Sequence, residues 1–463
     1  MMVEQDYMNN KKLKNKTKNF IPIGYKKTEV GIIPEDWEAK NLHEICYKII
    51  DGTHFTPKYA STGVPFYSVE NITSNDFENA KFISLEEHNR LIKRCNPSRG
   101  DILMTRITAG ILGDTKLIDW DVYASIYVSL ALLKVKDGIS TDYLYCYTKT
   151  DKFRQHVSDF GLVNATPKKI NLQAIGFVPI PLPSNIHEQN AIARVISDMN
   201  KFIAILEKLI SKKKAIKTAT MQQILTGRVR LSPFVKRSDG TVKGYKSSEF
   251  GEIPEDWSVT TIKEITKNII DYRGRTPKKL GMDWGRGNIL ALSAGNVKKG
   301  FIDVKAESYF GSYELYKKWM VSGESQKDDI VFTTEAPLGN AALIPNDEKY
   351  ILSQRTILLK IKRDKYDPKL IIQIFLSKNF QEYISNSATG STAQGIKRSV
   401  FEKLAVLLPE CIQEQTAIAN ILSDMDAELA TLEQKLTKAR DIKKGMMQQL
   451  LTGRIRLPLD HQP

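Results

Sequence analysis

The sequence predicts two α/β (α+β) globular blocks, two copies of one plan, separated by two long helices packed as an antiparallel coiled coil, with the whole chain arising by tandem duplication about a pseudo-two-fold. Three observations carry this. The phrase MQQILTGRVRL at 221–231 recurs as MQQLLTGRIRL at 447–457. EVGIIPEDW at 29–37 recurs as EFGEIPEDW at 249–257, with seven of nine positions identical. Both segments that end in the repeated phrase carry apolar residues at heptad spacing and contain no proline, as long helices with one buried seam do.

Along the chain, residues 1–20 form a lysine-rich polar arm expected to be disordered. Residues 21–184 are the first globular block and 185–231 the first spacer helix. Residues 232–248 are a linker, 249–410 the second block, 411–457 the second spacer helix and 458–463 a tail. The helical segments share 23 of 45 positions between 187–231 and 413–457, whereas the blocks have drifted. A period above 200 residues is too long for a solenoid and implies duplication. In the first helix the seam runs Ile192, Ile196, Met199, Ile203, Leu206 and Ile210; in the second it runs Ile418, Leu422, Met425, Leu429, Leu432 and Leu436. Ser184 is the expected N-cap of the first helix, and Gly227 and Gly453 the stop signals. About 40 helical residues give a rod of roughly 60 Å, and pairing the two helices is expected to hold the blocks apart at its ends. Within the blocks, VPFYSV, DILMT, FVPIPL, DIVFTT and AVLLP read as strands, and DYLYCYTKTDKFRQHV and PKLIIQIFLSKNFQEYI as amphipathic helices.

Composition narrows the function. Lys and Arg number 68 against 53 Asp and Glu, a net charge of +15, which favours a polyanionic partner such as nucleic acid. Four separated cysteines and six scattered histidines offer no zinc ribbon, disulfide frame or HExxH. No apolar run reaches membrane-spanning length, and the four separated cysteines fit a reducing compartment, so a cytoplasmic protein is expected. P-loop and dinucleotide fingerprints are missing; GMDWGRG at 281–287 is a loop-like glycine cluster without a strand–turn–helix context. PEDWEAK at 34–40 fits a nuclease pattern only by force, and its copy PEDWSVT loses it, so Trp37 and Trp257 read as structural. A non-catalytic binding protein is the leading class, with no metal of its own. An orphan two-domain DNA-binding adaptor is one alternative, and a DNA methyltransferase or nuclease with unrecognised motifs another.

Three pairs of polar, basic loops in corresponding places are candidates for reading DNA. DGTHFTPK (51–58), with Thr53, His54 and Lys58, corresponds to DYRGRTPKK (271–279), with Arg273, Arg275 and Lys278. MTRITAG (104–110), with Thr105 and Arg106, corresponds to FTTEAPLG (332–339), with Thr333; Arg106 has no counterpart there, since Thr334 occupies its place. NATPKKI (164–170), with Asn164, Lys168 and Lys169, corresponds to GSTAQGIKR (390–398), with Gln394, Lys397 and Arg398. Along the helices, Ile192, Met199, Leu206, Leu225 and Arg228, and Ile418, Met425, Leu432, Leu451 and Arg454, are the candidate coiled-coil and partner-docking residues. The repeated Arg228/Arg230 and Arg454/Arg456 exits are expected to face the next domain or a partner subunit.

The tandem layout, the GxIPEDW start of each half, the PLP…HEQNAIA and LLPECIQEQTAIA transitions and the MQQ(I/L)LTGR(V/I)RL helix ends together resemble the specificity subunits of type I restriction–modification systems. The resemblance covers about residues 22–457. It implies that each block is a target recognition domain reading one half of a split, asymmetric double-stranded DNA sequence. It further implies that the helices space these domains and dock two adenine-methyltransferase (modification) subunits, alongside restriction and motor subunits. S-adenosylmethionine, ATP and Mg would then belong to those partners, with no cofactor in this chain.

Overall fold

Each long segment is a single helix of 39 residues, Ile186–Ile224 in the first copy and Ile412–Leu450 in the second. The N-cap of the first is Asn185, whose Oδ1 accepts the amide of His187 at 2.8 Å. Ser184 is one residue too early to reach the helical amides, and its hydroxyl donates to the Asp36 carbonyl instead. Both helices stop at a left-handed glycine, Gly227 at φ +70° and Gly453 at φ +68°.

The computed structural model describes residues 21–353, 355–390 and 394–458. The arm at 1–20 and all but the first residue of the tail lie outside them. The described residues divide into two compact units, one running to Leu206 and resuming at Lys435, the other spanning Glu207–Gln434. The division passes through both long helices, so neither helix is a domain of its own. The reason lies in the cores. In the first unit Ile192, Ala193, Ile196, Leu450 and Leu451 share one core with Trp37 and Tyr143. In the second, Ile224, Ile418, Ala419 and Leu422 share one with Trp257 and Phe401. In each unit the start of one helix thus meets the end of the other, and the helices run antiparallel. In the second unit Lys213 pairs with Glu428 and Lys214 with Glu433, both at 2.7 Å, and Lys217 pairs with Asp426.

Both units are built on the same sheets. In the first, an antiparallel sheet has the order Thr115–Leu117, Ile102–Thr105, Leu130–Val135, Cys46–Asp51. In the second, the same order reads Ala341–Leu343, Ile330–Thr333, Thr356–Ile361, Thr266–Asp271. Each unit also has a smaller sheet joined by a parallel pair, Ser125–Ile126 with Val64–Tyr67, and Ile351–Leu352 with Ile289–Leu292. The strand that begins at each repeated tryptophan pairs with the strand that ends at the proline before each long helix: Trp37 opposes Pro183, and Trp257 opposes Pro409. Each segment read as one amphipathic helix is two: Thr141–Thr148 then Asp151–Phe160, and Pro368–Leu376 then Lys378–Ser387. Thr150 and Ser377 accept a new helix's first amides on their hydroxyls, which restarts the chain in a different direction.

The repeated phrases meet each other. In the second unit Arg230, at the end of the first helix, forks onto Asp256 of PEDW at 2.7 and 3.0 Å and onto Glu414 at 2.6 and 3.1 Å. In the first, Arg456 forks onto Asp36 at 2.9 Å through both terminal nitrogens and onto both oxygens of Glu188. A planar guanidinium with five N–H donors can hold two carboxylates in this way; a lysine cannot. Above each fork the helix-ending glycine lies on the PEDW proline. A Cβ on Gly227 would stand 2.5 Å from Pro254 Cδ, and one on Gly453 the same distance from Pro34 Cδ. Tyr245 and Tyr25 complete the contact by donating to the carbonyls of Gly227 and Gly453 at 3.2 and 3.0 Å. Arg230 and Arg456 are therefore turned onto the chain's own domains.

Two predictions follow from this clasp. Arg230 is 6% exposed and Glu414 1%, so Arg230→Ala strands a buried carboxylate and should cost about 3–5 kcal/mol of unfolding free energy. Arg456→Ala also strands a buried carboxylate, Glu188, but Arg456 itself is 39% exposed and Glu188 keeps the hydrogen bond from Trp37 Nε1, so solvent screening should make its cost smaller. Denaturant unfolding of the full chain measures both, and equal losses would contradict the assignment. The second prediction concerns acid. The Arg456 hydrogen bonds hold the Asp36 carboxyl below its usual range. At Asp256 burial opposes ionisation, but the hydrogen bonds from Arg230 and Lys243 outweigh it and the shift is again downward. Carboxylates depressed in the folded state contribute their full stabilisation above the unfolded value, near 4, and lose it as pH falls through the folded one. Fluorescence of the buried Trp37 and Trp257 should therefore report loosening only below about pH 4.

Candidate nucleic-acid interface

In the first unit the three candidate loops converge on one buried carboxylate. The strand Cys46–Asp51 ends at Asp51, which is 1% exposed. Arg106, immediately after the strand Ile102–Thr105, donates to Asp51 at 2.8 Å and to the Val128 carbonyl at 3.0 Å. Its Nε donates to the Ile170 carbonyl at 3.3 Å, and the Ile170 amide donates back to the Arg106 carbonyl at 2.9 Å. Lys168–Lys169 adds a short antiparallel pair to Ile107–Thr108. Two further side chains share the carboxylate from the outside, the Arg94 guanidinium at 2.5 Å and the His54 ring at 3.0 Å. They border a cleft of about 730 Å³ whose lining includes Gly52, Thr53, Arg90 and Ile126.

The second unit keeps the frame and changes the arginine. Asp271 ends the corresponding strand, Thr266–Asp271. Its partner comes from its own loop: Arg273 reaches Asp271 at 2.6 and 2.9 Å. Arg273 then crosses to the Thr334 hydroxyl at 3.2 Å, the residue standing where Arg106 stands in the first copy. The Ile396 amide donates to the Thr334 carbonyl at 3.0 Å, which brings the third loop in. Burial disfavours the ionised Asp271, but the Arg273 hydrogen bonds prevail and hold it below the ordinary carboxylate range. Those same bonds, led by the one to Asp271, raise the affinity of Arg273 for its proton. A smaller cleft of about 410 Å³ lies among Arg273, Glu335, Lys397 and Arg398.

Several residues read as DNA contacts are interior instead. Thr105 and Thr333 are 1% and 0% exposed, and their hydroxyls close the loops after their strands, donating to Ile111 at 2.7 Å and Pro337 at 2.6 Å. Thr53 is buried and bridged to Tyr127, its amide donating to the Ile126 carbonyl. Arg106 is 9% exposed and consumed by Asp51. In each case the polar side chain satisfies a buried turn, a demand that composition does not reveal. Arg275 is tied to the Trp319 carbonyl at 2.7 Å, and Arg398 to Glu402 at 2.6 Å. Lys168 is half-buried, its ammonium 3.5 Å from the Gly110 carbonyl. His54, Lys58, Asn164, Lys169, Lys278, Gln394 and Lys397 are exposed. Arg90 and Arg94, at the end of the helix Leu85–Leu91 and just beyond it, were not candidates. The basic run around Lys93 was their only signal in the sequence.

On the long helices Ile192, Leu206, Ile418 and Leu451 are buried, while Met199, Leu225, Met425 and Leu432 are half-buried. Leu225 and Met425 pack on the core of the second unit. Arg228 and Arg454 are exposed. Buried seam positions serve the chain's own packing and are not open to a partner.

The model of the type I restriction modification DNA specificity domain matches this sequence twice, over residues 34–214 and 254–439. The chain belongs to that family. This type I specificity protein carries two such domains, the complement of a specificity subunit. It is 26% identical to the type I restriction enzyme MjaX specificity subunit of Methanocaldococcus jannaschii, over 94% of this chain and 97% of that one. It is 28% identical to the MjaVIII specificity subunit of the same organism, over 60% of this chain and 63% of that one. Among solved structures, the S subunit of a type I restriction–modification system from M. genitalium shares the fold with a TM-score of 0.56 at 14% identity. That match covers 89% of this chain and 96% of the other. The family binds DNA and works within type I restriction–modification complexes.

The burial pattern predicts a split between variants. Arg106→Ala leaves Asp51 with only its two exposed partners and should lower the unfolding midpoint of the first unit. Lys58→Ala and Lys169→Ala should leave that midpoint unchanged and flatten the salt dependence of DNA binding by about one ion each. Unfolding curves and binding titrations across salt concentrations distinguish the two classes. A destabilised Lys58 variant would refute the division.

Proposed function

We propose that this specificity subunit reads a bipartite, asymmetric DNA target, each unit taking one half. The supporting observation is the pairing of a common frame with different chemistry. Both units end the same strand of the same sheet in an aspartate that gathers three loops. The aspartate's partners on that frame are Arg94, Arg106 and the His54 ring in one unit and Arg273 in the other. Equal frames give equal docking on a duplex, and unequal side chains give unequal base preference. The net charge of +15 supplies the sequence-independent part of the attraction.

The proposed role is non-catalytic. Methyl transfer would be performed by two docked modification subunits carrying S-adenosylmethionine, and cleavage by restriction subunits using ATP and Mg. Exposed stretches of the long helices, with Arg228 and Arg454, are the proposed docking contacts, repeated because the partner binds twice. No described helix is long and apolar enough to cross a membrane, and the proposed place of action is the cytoplasm, with its DNA.

Comparing methylomes of cells with and without the gene tests this reading. A split methylated motif should vanish with the gene. In vitro, the purified chain should transfer no methyl group from labelled S-adenosylmethionine until modification subunits are added. Transfer by the chain alone would place it among the enzymes.

A further inference from the structure

The glycine cluster at 281–287 takes no part in the loop frame described above, yet it is elaborately fixed. The 3₁₀ turn Pro277–Leu280, which closes the loop 271–279, is capped by Gly281 in the left-handed region. Trp284 then stacks on Tyr309, with ring centres 5.7 Å apart and planes at 26°, and leans on Trp319 at 5.5 Å. The Gly285 amide donates to the Phe310 carbonyl at 2.6 Å. Gly287 lies so close to the next strand that a Cβ would stand 2.3 Å from the Gly311 carbonyl oxygen. Between these two glycines sits Arg286, exposed and at φ +58°.

A non-glycine residue in that region is unfavourable, and Asn, Asp or Gly is the ordinary choice for a free turn. Here an arginine is held there by a stacked tryptophan below and a strand contact beyond, and no ion pair among the described residues engages its side chain. The same Trp319 that supports Trp284 accepts, through its carbonyl, the hydrogen bond from Arg275 of the candidate loop 271–279. The turn is thus mechanically joined to the frame around Asp271. An unfavourable φ kept at an exposed, braced position is grounds for a hypothesis of function.

We propose that Arg286 is a base-reading residue of the second unit, its guanidinium forking onto guanine O6 and N7 in the major groove. This rests on the DNA-reading function above and adds to it a specificity determinant outside the three loop pairs. The backbone offers a control that most arginines lack, since Arg286→Gly relieves the unfavourable φ while removing the side chain.

The test is selection of randomised duplex DNA by the purified full-length chain, as wild type, Arg286→Ala and Arg286→Gly, with thermal unfolding of each. The proposal expects both variants to lose preference at one guanine of one half-site by about tenfold or more. The other half-site should be unchanged, and Arg286→Gly at least as stable as wild type. Retention of the wild-type motif by Arg286→Gly would overturn it, as would uniform weakening across all sequences, the signature of a phosphate contact. A wild-type chain that selects no motif at all would sink the DNA-reading function itself, and this inference with it.

Discussion

An arginine that grips two carboxylates holds each unit of this protein closed. Arg230 and Arg456 each join three segments distant in sequence: a helix end, the aspartate of a PEDW turn and the glutamate in the first turn of the other long helix. Remove the guanidinium and two acidic groups face each other beside a buried tryptophan. The surrounding glycine, proline and tyrosine contacts depend on that grip, because they bring backbone to within van der Waals distance of a ring. The constraint explains the most repeated stretches of the sequence. GxIPEDW turns, the Glu-Gln pair opening each helix and the TGRxR ends persist together because they touch.

Freed from that constraint, the loops have diverged. Both frames keep the strand-ending aspartate, while its arginine has changed address, from Arg106 after the second strand to Arg273 in the first loop. A buried carboxylate must be paired, but the protein is indifferent to which loop supplies the cation. Such exchange lets the exposed positions vary while the fold underneath stays constant, as a reader of changing DNA sequences requires.

The duplication, the heptad seams and the structural tryptophans were legible in the sequence because each is a local or repeated pattern. So was the correspondence of the three loop pairs between the two halves. Their individual residues were less so. Thr105 and Thr333 look like surface threonines until the turn they close is seen, and Arg94 meets Asp51 across 43 positions of chain. The breaks at Thr150 and Ser377 were written in the sequence as capping residues but overridden by the apolar period on either side. The GRxR ends showed that something repeated was being contacted, and the structure supplies the chain's own PEDW turns for the second arginine of each.

The division of the units also orders their completion during synthesis. The second unit, Glu207–Gln434, is one unbroken stretch of chain. The first contains the earliest described residues, yet its core includes Leu450 and Leu451 and its grip needs Arg456. Amino-terminal domains ordinarily fold first during synthesis; here the first unit depends on chain made after the whole of the second. Its first unit cannot close over Trp37 and Glu188 until the segment from Leu450 to Arg456 has been made, whereas every residue of the second unit precedes Lys435.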